Sequence, residues 1–117
     1  MKEKNILLEK STDFAVAIVE LSKRISQNPI NGIFINQVVR SSSSIMSNVA
    51  ESEFASSRKD FLWKLQISLK EANETKYWLT LMKRSLFISQ KDYDKLLPEC
   101  EELIKMLVSS CNTIKKN

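Results

Sequence analysis

Six polar residues have types and spacing that could do chemistry together: Arg40, Asn48 and Glu51, then Glu71, Asn73 and Glu74. Two carboxylates such as Glu51 and Glu71 could serve as general acid and base if burial raised the pKa of one of them. That arrangement would suit a hydrolase or lyase. The same residues could instead be caps, inter-helix hydrogen bonds or subunit ion pairs, and this structural reading is strongly favoured. The chain contains no His, which removes Ser–His–Asp and His–Cys nucleophiles and the Glu-x-x-His pairs of bundle di-iron sites. Its two cysteines, Cys100 and Cys111, match no zinc-site spacing, and a single Gly leaves no phosphate-cradling loop. The expectation is a non-enzyme with no cofactor, no metal and no small-molecule substrate.

Binding is the other chemistry to consider. The net charge is +4, a mild excess that permits contact with RNA or DNA without demanding it. Local basic pairs stand at Lys23–Arg24, Arg58–Lys59 and Lys83–Arg84, and the last two are candidate nucleic-acid contacts at opposite ends of one helix. In a ring of copies these charges would be multiplied. Trp63 and Trp78 could stack on bases. Their alignment with Ile67 and Leu81 points instead to protein contact.

Those residues must be positioned by helices. One Gly and two Pro in 117 residues leave little material for tight turns or sheet bulges. The stretch from Ser57 to Leu86 has neither, and stepping about 100° per residue puts Phe61, Leu62, Leu65, Leu69, Ala72 and Leu79 on one face. Trp63, Ile67, Trp78 and Leu81 fall almost opposite. Each buried Trp hides on the order of 150–250 Å², so a stripe of this size exceeds what a soluble monomer ordinarily leaves wet. These four residues are therefore the expected oligomer interface.

Three further helices are expected. The first covers about Asn5 to Ser26, with Leu7, Phe14, Ile18, Leu21 and Ile25 inward and Ser11 on the same stripe. Gln27 to Gly32 reads as a turn. A second helix from about Ile33 to Phe54 turns Ile35, Val38, Val39, Ser42, Ile45, Met46 and Val49 inward. The run Ser41 to Ser44 costs helicity but lets a neighbouring backbone come close. Ser56 or Ser57 then caps the third helix, with Asp60 in its first turn. In the last helix Tyr93, Leu96, Leu97, Cys100, Leu103, Ile104, Leu107, Cys111 and Ile114 form one stripe. Pro98 either kinks this helix or begins it after a short turn from Gln90, and the tail Lys115 to Asn117 is expected to fray. Both cysteines lie on the stripe, about 16 Å apart along the axis, and read as small buried hydrophobes.

Short connections between amphipathic helices imply antiparallel neighbours, so the expected fold is all-α: one domain, an up-down-up-down four-helix bundle over residues 1–117. No run reaches membrane-span length, and charge interrupts the apolar residues of MKEKNILLEK, so no secretory signal is read. A cytoplasmic protein is expected.

The segment RSSSSIMSNVAESEFASSRKDFLWKLQISLKEANETKYWL, Arg40 to Leu79, carries a resemblance. Arg40-Ser41, Ser44-Ile45, Asn48-Val49-Ala50-Glu51, Arg58-Lys59-Asp60-Phe61 and Ala72-Asn73-Glu74-Thr75 look like the motifs of four-helix-bundle proteins encoded in intervening sequences of bacterial large-subunit ribosomal RNA genes. The matching motif positions are Arg40, Ser44, Asn48, Glu51, Asp60 and Glu74. Some members carry a ribosomal-protein label. The family is also similar to accessory bundle proteins of retroelements. The resemblance implies a homo-oligomer, often a five-membered ring, with no enzymatic activity; the similar retroelement accessory proteins form such barrels and contact nucleic acid. Two positions depart from the pattern. Ser52 stands where Gly is common, and Lys76 stands where an apolar residue is common, so Lys76 must snorkel or reach a carboxylate.

Overall fold

A computed structural model describes residues 5–116. Four α-helices account for nearly all of them: α1 (Ile6–Lys23), α2 (Pro29–Ser52), α3 (Arg58–Arg84) and α4 (Gln90–Lys116). Each start has a chemical cause. Asn5, Asn28 and Ser57 accept hydrogen bonds from the N–H groups of Leu8, Asn31 and Asp60, and Ser89 accepts from Asp92 N–H. Each bond satisfies one of the donors that a helix N-terminus leaves orphaned.

Several boundaries differ from the sequence reading: α1 ends at Lys23, short of Ser26, and α2 ends at Ser52, short of Phe54. α2 begins at Pro29, not Ile33, because Asn28 caps it and Pro29 occupies the first helical turn, where its missing N–H costs nothing. The turn in QNPING is therefore shorter than expected. α4 runs unbroken from Gln90 through Pro98 to Lys116. Pro98 is exposed, and the stripe of Leu96, Cys100, Leu103, Leu107 and Cys111, all buried, continues straight past it. Lys115 and Lys116 are helical rather than frayed, and Asn117 lies outside the described residues.

The helices pack in cyclic order, α1 on α2, α2 on α3, α3 on α4 and α4 on α1. This is the four-helix bundle the periodicity predicts. Phe14, Ile18, Leu21, Val38, Ile45, Val49, Leu65, Leu79, Met82, Leu103 and Leu107 form one continuous core. Cys100 is buried within it and donates its S–H to the Ala72 carbonyl at 3.3 Å. Burial pushes its thiol up to about 12, so it stays protonated and inert at neutral pH. The serine run does what small residues permit: Ser41 and Ser42 are buried, and Thr75 Oγ1 lies 2.7 Å from Ser41 Oγ. Ser68 Oγ donates across the same seam to the Ile45 carbonyl at 2.9 Å.

α3 ends in a left-handed residue. Leu86 has φ 64°, and Phe87 N–H reaches back to the Met82 carbonyl at 2.8 Å, the closing bond of a Schellman turn. Glycine normally fills this position, since an L side chain there costs about 1–2 kcal/mol. The Leu86 side chain is 89% exposed and recovers little. Leu86→Gly should therefore raise stability by about 0.5–1 kcal/mol, read as a higher urea midpoint at unchanged slope. No helix among the described residues is long and apolar enough to cross a membrane.

Candidate functional site

The polar motif residues collect along the seam between α2 and α3, where the antiparallel pairing brings them together. Arg40, half exposed, is the centre. Its guanidinium donates to Glu71 Oε2 at 3.1 Å and to Glu74, and its Nε donates to Gln37 Oε1 at 3.3 Å. Trp78 Nε1 donates to the same Glu74 carboxylate at 3.0 Å. Glu71 is 8% exposed, so its charge depends on Arg40 for compensation. The planar fork of Arg40 spans two carboxylates one turn apart, a geometry that Lys could not reproduce. This cluster clamps α2 to α3.

Glu51 stands elsewhere on the seam. It accepts from Lys64 Nζ at 2.9 Å, and Lys64 precedes Glu71 by seven residues, or about 10 Å along α3. Glu51 and Glu71 thus occupy separate ion pairs, and the structure does not bring them together as an acid–base couple. Asn48 is buried, and its amide donates to the Ser44 carbonyl at 2.8 Å within α2. Asp60 Oδ2 accepts from Ser56 N–H at 3.2 Å while Ser57 caps Asp60, a reciprocal N-terminal box. Asn73 is exposed and bonds only its own helix. At the departures from the family pattern, Ser52 is the last residue of α2, and its Oγ donates to the Val49 carbonyl. Lys76 reaches Glu101 on α4 at 3.3 Å.

The expected interface residues divide. Trp63 is 59% exposed and Leu81 46%. Ile67 and Trp78 are half buried on the flank facing α2, where the Trp78 ring meets Phe34 edge-on with centroids 6.2 Å apart. Sequence reading missed Tyr77, which is 70% exposed one residue before Trp78. It also missed Ile30 and Ile33, at 62% and 60%. Because Phe34 packs on Trp78 and Phe87, the first turns of α2 lie level with the last turns of α3. Ile30 and Ile33 therefore extend the apolar surface of Tyr77 and Leu81 across both helices.

The candidate nucleic-acid contacts lie at the two ends of α3. Arg58 and Lys59 open α3, and Lys83 and Arg84 close it, about 37 Å away. They cannot contact one short ligand segment on one copy. Lys83 Nζ sits 5.6 Å from the Tyr93 ring centroid, while Arg84, Lys91 and Lys95 are exposed around the same end.

Comparison with known proteins agrees with this architecture. The model of the 23S rRNA-intervening sequence protein family matches residues 3–109. A crystal structure from Bacteroides thetaiotaomicron, described as a protein with unknown function from the S23 ribosomal protein family, superposes with a TM-score of 0.85 at 40% identity. The match covers 91% of this chain and 98% of that one. No curated protein matches the chain.

Proposed function

The chain belongs to the 23S rRNA-intervening sequence protein family, and from that premise we propose that it is a non-enzymatic bundle that assembles with copies of itself into a binding platform for nucleic acid. One observation carries the reading. Tyr77 and Leu81, with Ile30 and Ile33 beside them, form an apolar surface that the bundle does not cover, and Trp63 stands exposed about 21 Å along the same line of α3, a grouping unlike singly scattered surface residues. A closed ring buries such a surface on every copy without leaving an open end, and the family resemblance favours five members. The acid–base alternative loses its geometry, because Glu51 and Glu71 are each held by a different cation.

In a ring every copy turns the same end the same way. Lys83, Arg84, Lys91 and Lys95 of successive copies would then form a continuous basic rim, and a mild monomer charge becomes a strong local field. Mobility-shift titration against RNA and DNA across salt tests this part. Binding should weaken steeply as salt rises, as counterion release requires. Arg84→Glu with Lys91→Glu should weaken it about tenfold or more at low salt. Absence of any shift at low salt removes nucleic acid as the ligand.

A further inference from the structure

Going beyond that reading, and resting on its self-assembly, we infer that the outer face of α1 is the surface that receives α3 of the next copy. The outermost residues of α3 recur at spacings of three and four: Lys59, Trp63, Gln66, Lys70, Asn73, Tyr77 and Leu81. This line carries two cations and three large apolar groups, and it carries no carboxylate. Lys70 has no ion-pair partner among the described residues.

The outer line of α1 has the opposite character at the same spacing: Ile6, Glu9, Asp13, Val16 and Glu20, with Val19 beside them. Ile6, Val16 and Val19 are 57%, 53% and 38% exposed. Asp13 has no ion-pair partner among the described residues. On the adjoining flank of α4, Asp92 and Glu102 both turn toward α1, where they pair with Arg24 and Lys10. Glu99 lies seven residues after Asp92 and three before Glu102, so it faces the same way, and its Oε2 is buried without a hydrogen-bond partner. Lys10, Lys23 and Arg24 compensate Glu102, Glu20 and Asp92 here, which leaves Asp13 and Glu99 as the carboxylates of this side that form no ion pair among the described residues.

The two lines also agree in direction and length. Two reversals of the chain make α1 and α3 parallel. Asn5 bonds Glu53 just before α3 begins, and Arg24 pairs with Asp92 just after it ends, so the two helices lie level. The α1 line from Ile6 to Glu20 and the span from Trp63 to Tyr77 are each about 21 Å long. When copies share one orientation about a ring axis, Trp63 meets the Ile6 end. Lys70 then falls near Asp13, and Tyr77 near Val16 and Glu20. The partner this face fits is a second copy of the chain.

Charge reversal tests the pairing, with solution mass by light scattering and far-UV circular dichroism as readouts. Asp13 and Lys70 are both exposed, so each variant keeps its helicity. Asp13→Lys alone and Lys70→Glu alone should each weaken association about tenfold, and the two changes combined in one chain should restore most of it. A wild-type protein that assembles while both single variants keep its mass overturns the α1–α3 pairing and leaves assembly standing. Single variants that dissociate and are not rescued by the double variant overturn the direct meeting of these two lines. A monomeric wild type removes the assembly reading itself, separately from this assignment.

Discussion

Trp63→Glu combined with Leu81→Glu is expected to give a folded, helical protein with the mass of one chain. Both side chains are exposed on the outer line of α3 and neither belongs to the buried core, so the bundle has no reason to unfold. Their cost falls on assembly. Each replaces an apolar contact by a charge that the interface would have to bury, and an unpaired buried carboxylate costs several kcal/mol. Two per interface, repeated around a ring, exceed what a standard interface retains in surplus. Retention of the wild-type mass by the helical double variant would show that this surface is not the interface. Trp78 is a poorer probe, because its indole N–H holds Glu74 and its ring packs on Phe34. A change there disturbs the fold as well.

Arg40→Ala should destabilise the bundle by about 1–3 kcal/mol, the largest loss expected from one exposed position. The substitution removes the cation from Glu71, which is 8% exposed, and leaves that carboxylate buried without charge compensation. It also frees Glu74 from one side. The estimate is held below that of a fully buried pair because the Arg40 side chain is 50% exposed, where water screens the pair. Denaturant midpoints must be compared at one protein concentration, since the proposed assembly would contribute to apparent stability. Arg40→Ala with Glu71→Leu should recover most of the loss, because the buried charge is then gone. A midpoint shift equivalent to under about 0.5 kcal/mol for Arg40→Ala would mean that the clamp contributes nothing to the fold.

The fold was largely legible because burial has a period. The stripes of α1 and α4 were read residue by residue, and Phe14, Ile18, Leu21, Leu96, Cys100, Leu103 and Leu107 are all in the core. Local chemistry misled in two places. A Pro in the midst of α4 reads as an end, yet its exposed ring lets the helix pass with one hydrogen bond missing. The Asn-Pro-Ile-Asn-Gly stretch reads as a turn, yet an Asn cap before Pro is also a helix start.

The candidate site was legible in its residues and not in their partners. Arg40, Glu51, Glu71 and Glu74 stood out by type, but which carboxylate takes which cation depends on the register of α2 against α3. That register follows from the small Ser41, Ser42 and Ser68 and from Phe34 on Trp78, none of which a single-helix projection contains. The same projection put Trp78 opposite the core, because it has no means of separating a solvent-facing side from a flank covered by a neighbouring helix. The seven-residue steps from Trp63 to Lys70 to Tyr77 were the available signal for the true outer line, and the larger Trp78 beside Tyr77 obscured it.

Self-assembly is the claim on which the functional reading depends, and the mass of the native protein in solution tests it most directly. Light scattering on the unmodified chain across a range of concentrations should give a fixed multiple of 13.5 kDa, five being the multiple that the resemblance favours. A mass of 13.5 kDa at every concentration would contradict the account, leaving Trp63, Tyr77 and Leu81 exposed with no second copy to cover them.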